Sequence, residues 1–221
     1  MVRLSIWQKI FSQLFPVRVC KHKDARLPYI ELYYFRGQWQ LATPRAMYSD
    51  GHRYRPLRIA FEQIKKQLPQ VHDMLMLGTG LGSAAMILDK MGYHPTMVFV
   101  EMDETIIEWA KEVLPERQLE KLTMIAADAE VYMRDNTHQY DLIVVDVFIN
   151  CTVPDFVTQK HFLSSCQKAL RPEGIMVLNY IIEDKAHWQE AISNIKEVFP
   201  QTDINETGVN RIIISGSQKI Q

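Results

Sequence analysis

The chain is 221 residues long, 47% hydrophobic and 23% charged, with 25 Lys+Arg against 26 Asp+Glu. That apolar share can fill a core and leaves no signature of disorder, and a net charge of −1 gives no reason to expect a nucleic-acid partner. Cys20, Cys151 and Cys166 are odd in number and widely spaced, which argues against a disulfide framework or zinc ribbon and suits a reducing cytoplasm.

The first fifteen residues, MVRLSIWQKIFSQLF, place Leu4, Trp7, Ile10, Phe11, Leu14 and Phe15 at roughly helical spacing. They predict a short amphipathic helix ended by Pro16, packing on its own domain or on a dimer partner. Polar Ser5, Gln8, Lys9, Ser12 and Gln13 interrupt the apolar run, so it is neither a signal-peptide core nor a membrane span. Basic Arg18, Lys21, Lys23 and Arg26 follow, which keeps a membrane-surface role as the competing reading. Residues 27–49 read as a small β-hairpin unit: YIELYYF, a turn at Arg36-Gly37, and a return strand from Gln38 to Leu41. Tyr54 to Leu68 reads as a helix stopped by Pro69.

From there strands and helices alternate. Strands are expected at Met74–Leu77, Thr96–Val100, Thr123–Ala127, Leu142–Val147 and Ile175–Ile181. Between them fall helices at Leu81–Met91, Glu104–Leu114, Ala129–Arg134 and Phe156–Leu170, the last ended by Pro172-Glu-Gly174; a further helix spans Lys185–Val198. Two closing strands near Asp203–Glu206 and Arg211–Ser215, separated by Thr207-Gly208, must form a hairpin, so one runs antiparallel to the rest. Continuous apolar strands alternating with amphipathic helices mean a doubly wound α/β sheet. The chain divides into residues 1–50, helix and hairpin, and residues 51–221, the α/β domain.

The chemistry gathers at strand ends. The first of these strands runs into Gly78-Thr79-Gly80-Leu81-Gly82, a G-x-G-x-G turn where the backbone can approach a ligand and a helix N-terminus can face it. A tight turn needing glycines for its own dihedrals is the competing reading. Glu101, twenty-three positions after Gly78, ends the second strand, where a carboxylate can accept from a ribose diol. Asp128 ends the third strand and could accept from an adenine amino group; Asp146 ends the fourth. In open α/β sheets ligands bind at this carboxyl edge, so the four tips together indicate an adenosine-ligand site. Cys151, on the loop after the fourth strand, reads as a small loop residue rather than a nucleophile. The seven histidines show no metal-ligand spacing, so no metal is inferred. Arg45, Arg53, Arg55 and Arg58 form a basic cluster that reads as a solvated face or as recognition of an acidic substrate.

The run from Tyr54 to about Leu178 resembles the spermidine synthase-like branch of the class I S-adenosylmethionine-dependent methyltransferase superfamily. The resemblance is carried by LGTGLGSAAMIL, VFVEMDETIIEWAKE, AADAEVYMRDNTHQYDLIVVDVF and FLSSCQKALRPEGIMVLN. It implies a Rossmann-like class I methyltransferase fold, a mostly parallel sheet ending in an antiparallel hairpin, with S-adenosylmethionine or its decarboxylated form as the cofactor. Gly78, Gly80 and Gly82 would then cradle the methionine portion, Glu101 would hold the ribose, and Asp128 with Ala129 the adenine, with Thr79 and Met102 also in the cofactor-binding set. Asp146 would occupy the position of a catalytic carboxylate. Related synthases commonly dimerise through their N-terminal region, which implies a homodimer.

Three departures separate this chain from aminopropyltransferases: Leu81 replaces an acid within the glycine loop, Ile149 replaces an acid three residues after the catalytic Asp, and Tyr54-Arg55-Pro56 replaces a Tyr-His-Glu run. A polyamine cleft needs carboxylates to offset desolvation of each ammonium. The expectation is therefore a cytoplasmic transferase moving a methyl group to a small molecule, with Asp146 as general base. The alternatives are an aminopropyltransferase of polyamine synthesis and a non-catalytic nucleoside-binding or interaction protein.

Overall fold

A computed structural model describes residues 4–23, 29–149 and 151–216. The chain opens with α1 (Ile6–Phe11), followed by β1 (Val17–His22), β2 (Ile30–Phe35), β3 (Gln38–Ala42) and β4 (Met47–Ser49). Next come α2 (Arg55–Gln63), β5 (Asp73–Leu77), α3 (Ser83–Met91), β6 (Thr96–Glu101), α4 (Glu104–Val113), α5 (Glu116–Leu119) and β7 (Leu122–Ala126). The remainder is α6 (Ala129–Asp135), β8 (Tyr140–Val145), α7 (Lys160–Ala169), β9 (Leu170–Ile181), α8 (Lys185–Val198), β10 (Thr202–Thr207) and β11 (Asn210–Gly216).

Two sheets result. β1–β4 form an antiparallel sheet in chain order, and the other seven strands lie in the order β10-β11-β9-β8-β5-β6-β7. β5, β6, β7, β8 and β9 pair in parallel, and β11 is antiparallel to both β9 and β10, so the large sheet ends in the expected hairpin. Its central strands carry no polar face because helices cover both sides. Successive residues of β5 serve opposite cores: Leu75 and Leu77 join the α7 and α8 residues Phe162, Leu163 and Ile195, while Met74 and Met76 join Leu57 and Phe61 of α2. A third apolar group locks the small sheet to the large one, with Ile30, Leu32 and Leu41 against Leu81 and the α4 residues Ile106 and Trp109. Ser49 and Ser83 add a buried 2.6 Å hydrogen bond across the same junction.

Several elements depart from the sequence reading. α1 ends at Phe11, not at Pro16, and none of its residues is buried; Trp7 is 68% exposed and Phe15, beyond it, 67%. Polar contacts hold it instead: a Ser5–Gln8 capping box, and Arg36 N–H donating to the Ser12 carbonyl at 2.8 Å. The apolar face therefore does not pack on the chain's own domain. The basic stretch after it is largely β1, whose Arg18 and Lys21 reach Glu31 at 2.9 and 3.7 Å; Arg26 and residues 1–3, 27 and 28 lie outside the described residues.

The expected hairpin is the centre of four strands, its Arg36-Gly37 turn having positive φ at both residues, as a two-residue turn of this hand requires. α2 stops at Gln63 because Ile64 leaves helical geometry. The expected helix over Phe156–Leu170 is split: a 3-10 turn covers Asp155–Thr158, and extended Gln159 starts α7. β9 begins before the Pro172-Glu-Gly174 turn; Tyr140 pairs with Leu170 and Leu142 with Ile175, so residues 171–174 bulge outward. Arg171 anchors that bulge on Asp73 and Asp141, at 2.7 and 2.8 Å. No helix among the described residues is long and apolar enough to cross a membrane.

Candidate functional site

The carboxyl ends of β5, β6 and β8, with the loop after β7, surround a cavity of about 300 Å³. Gly78, Gly80, Glu101, Met102, Asp128, Ala129 and Asp146 all line it, beside apolar Ile106, Val147, Phe148 and Phe156. Gly78 has φ +83°, and a Cβ there would stand 2.3 Å from the Asp146 carbonyl oxygen, so the glycine turn and the β8 tip touch only because this residue has no side chain.

Two of the residues expected to bind the cofactor lie elsewhere. Thr79 is buried and does not line the cavity; its amide donates to Glu101 Oε2 at 3.1 Å, and its hydroxyl has no hydrogen-bond partner among the described residues. Gly82 also stands off the cavity, as the residue preceding α3, where its φ of +81° favours glycine and a Cβ would crowd the Leu114 side chain. Leu81 is 1% exposed and buried against the small sheet, whereas Ile149 faces the cavity.

Glu101 organises the turn. Its Oε1 accepts from Met102 N–H at 2.9 Å and Asp103 N–H at 3.3 Å, and its Oε2 from Thr79 N–H. Burial raises its pKa, and these backbone donors oppose the rise by favouring the charged form. Asp128 caps α6, its Oδ1 accepting from Glu130 and Val131 N–H groups. Two carboxylates at neighbouring strand tips with apolar walls between suit a diol, an amino group and a flat ring, so the residues present fit an adenosine-bearing ligand.

Asp146 sits at the β8 tip under three residues absent from the sequence-based site. Asn179 of β9 donates its side-chain amide to Oδ1 at 2.7 Å, and the Tyr54 hydroxyl donates to the same atom at 3.4 Å. Asn210 of β11 in turn donates to Asn179 Oδ1 at 2.9 Å. Burial pushes the Asp146 carboxyl up to about 7, while the Asn179 and Tyr54 donors pull the other way. The Tyr54 phenol is driven well above its ordinary value, by burial first and then by the Asp146 charge. A carboxyl titrating near neutrality can both accept and release a proton under ordinary conditions.

A second cavity of about 390 Å³ adjoins the first, with Tyr48 and Phe148 in the walls of both. Arg45, Arg53, Arg55, Asp50 and Tyr54 line it, and the Cys151 thiol donates to the Arg45 carbonyl at its edge. Arg58 is exposed and belongs to neither cavity.

This architecture matches solved structures. A chain described as a "probable spermidine synthase" from Corynebacterium glutamicum superposes with TM-score 0.77 at 18% identity, over 94% of this chain and 82% of that one. Human methyltransferase-like protein 13 in complex with SAH gives 0.62 at 22% identity, over 77% and 84%. At the sequence level, a polyamine aminopropyltransferase from Clostridium beijerinckii is 27% identical over 140 residues, 60% of this chain and 49% of that protein. The chain thus spans about half the length of the curated relatives it matches. The family profile described as spermine/spermidine synthase domain matches residues 63–211, and the chain belongs to that family.

Proposed function

We propose that this chain transfers an alkyl group from an adenosyl sulfonium to a small acceptor, with Asp146 taking the proton the acceptor loses. The observation that carries this reading is the meeting of Glu101, Asp128 and Asp146 in one cavity whose wall is completed by Gly78 and Gly80. Glu101 would hold the ribose, Met102 and Ala129 would flank the nucleoside, and Asp128 would accept from the adenine amino group. Thr79 and Gly82 act behind them, bracing Glu101 and α3. The cofactor, S-adenosylmethionine or its decarboxylated form, supplies a carbon activated by the adjoining cationic sulfur. Asp146 remains charged enough at neutral pH to act as a base because Asn179 and Tyr54 offset part of its burial.

The names of the relatives support aminopropyl transfer from the decarboxylated cofactor better than the methyl transfer expected from the sequence. Methyl transfer stays as a second reading on one observation: Ile149 lines the cavity, and the glycine-loop residue Leu81 faces the core, so neither brings an acid to hold an aminopropyl ammonium.

Thermal unfolding with S-adenosylmethionine, its decarboxylated form, methylthioadenosine and NAD is the test. Adenosyl compounds should raise the unfolding temperature, Glu101→Ala should abolish the shift, and Asp146→Asn should retain it while losing turnover. The better stabiliser of the two sulfonium compounds identifies the group transferred. No shift with any adenosyl compound sinks the proposal, and binding with no turnover for any acceptor returns the non-catalytic reading.

A further inference from the structure

The second cavity has the wrong charge for a polycation. We propose that it holds the anionic end of the acceptor, a carboxylate or a phosphate, so that the acceptor is a small molecule with an oxyanion at one end and a nucleophile at the other. The role of acceptor rests on the transferase reading above; the binding chemistry rests on the cavity alone.

Three arginines and one aspartate line this cavity. Asp50 is already engaged, its Oδ1 accepting from Gln40 at 2.8 Å and from Arg53 at 3.3 Å. The guanidinium groups of Arg45 and Arg55 form no ion pair with any described residue, and the buried Nε of Arg53 has no hydrogen-bond partner among them. The nine-residue helix α2 opens on the same space. Its preceding residue Tyr54 offers no side-chain cap, since that hydroxyl points to Asp146, and its first turn holds no acid. Helix N-terminus and arginines therefore add their positive potentials in one place. A diamine would bring like charge here and lose its hydration without a carboxylate to replace it, whereas an oxyanion gains from both.

The cavity also points its occupant. Tyr54 and Asn210 line it, and each leads to Asp146, one directly and one through Asn179. An oxyanion held at Arg45 and Arg55 leaves the other end of the molecule directed past Tyr48 and Phe148 toward the base. Apolar Met47, Ile181 and Val209 can cover a short hydrocarbon spacer.

A matched set of four-carbon-sized probes tests this: 4-aminobutyrate, 3-aminopropylphosphonate and 1,4-diaminobutane, titrated calorimetrically with and without methylthioadenosine. At least one of the two anions should bind at least tenfold more tightly than the diamine, and which one identifies the oxyanion. Arg45→Gln and Arg55→Gln, singly and together, should weaken that anion at least tenfold, with the unfolding temperature of the free variants reporting that they fold. Tighter binding of the diamine, binding of neither anion, or anion binding unmoved in the double variant overturns the proposal. Methylthioadenosine binding without anion binding sinks this inference alone, whereas anion binding with no binding of methylthioadenosine or either sulfonium compound sinks the transferase reading and leaves the anion cavity standing.

Discussion

Asn179 and Asp146 face each other across the neighbouring parallel strands β8 and β9, joined by a 2.7 Å hydrogen bond behind the wall of the cavity that Asp146 lines. The donor favours the carboxylate over the acid, and Asn210 orients that donor by occupying the Asn179 oxygen. Loss of the donor must therefore raise the Asp146 pKa. In a pH profile of kcat/KM the wild-type protein should gain activity as pH rises through about 7, where Asp146 loses its proton. Asn179→Leu should move that limb upward by about one to two pH units, since a hydrogen bond to a charged group contributes about 1.5–3 kcal/mol and one pKa unit is about 1.4 kcal/mol. A limb that stays in place shows that Asp146 is not the titrating base.

The same carboxyl imposes a pH dependence on folding. Its folded-state pKa of about 7 lies above the unfolded value near 3.9, so its contribution to stability is fully present below about pH 4 and is lost as pH rises through 7. Asp146→Asn keeps the shape and removes the charge. The variant should be more stable than the wild type by about 4 kcal/mol at pH 8, with the gain shrinking between pH 7 and pH 4. Calorimetric unfolding across that range reads it as a difference of several degrees. A gain that does not vary with pH would place its origin in packing, not in the buried charge.

The sheet was legible because its strands are short apolar runs bounded by glycine, proline and acids, and β10–β11 because a two-residue turn leaves only a hairpin. β1 was not, since VRVCKH carries its charges on an edge strand held by backbone pairing to β2, and β4 is only three residues long. Strand tips revealed Gly78, Gly80, Glu101, Asp128 and Asp146 as cavity residues. They do not distinguish which members of G-x-G-x-G face inward; Gly78 and Gly80 line the cavity, whereas Thr79 and Gly82 stand behind it. Tyr54 and Asn179 were missed because their contacts with Asp146 span 92 and 33 residues of chain. One signal was available: Asn179 is a lone polar residue inside the apolar strand Ile175–Ile181, where a buried side chain needs a polar partner.

Arg171 offers a contrast at the far edge of the sheet. It bridges Asp73 and Asp141, and Asp141 also accepts from the His72 and Asp73 amides. Arg171→Met should cost about 1 kcal/mol of stability, as for a partly exposed ion network, and leave adenosyl binding unchanged. Denaturant titration and calorimetry measure the two effects separately. Weakened ligand binding would mean that the bulge at residues 171–174 controls the β8 tip.

Glu101→Gln isolates the carboxylate's second role. The wild-type side chain accepts N–H groups with both oxygens, and an amide can present only one acceptor. The other edge would then place N–H against N–H, at the glycine turn or at the start of α4. The variant should lose about 1–3 kcal/mol of stability, the cost of an unsatisfied buried donor, and should also bind adenosine compounds more weakly than 2′-deoxyadenosine substitution alone explains. A loss of stability with unchanged nucleoside affinity would assign Glu101 to the turn alone.

Gly78→Ala probes the contact that joins ligand turn and base. An alanine there must adopt φ +83°, at about 1–2 kcal/mol, and its Cβ would lie 2.3 Å from the Asp146 carbonyl oxygen, backbone that cannot rotate away. Relief requires β5 and β8 to separate at their tips, for a combined loss of about 2–4 kcal/mol. Because Asp146 N–H donates to the Leu77 carbonyl at 2.8 Å, that separation breaks this bond and displaces the Asp146 carboxylate relative to Asn179 and Tyr54. The variant should therefore lose adenosyl binding and move the pH limb together, whereas Glu101→Gln should weaken binding with the limb in place. Measuring both quantities in both variants distinguishes a shared scaffold from two independent groups. A Gly78→Ala protein with impaired binding and an unshifted limb would show that the base is positioned without the turn.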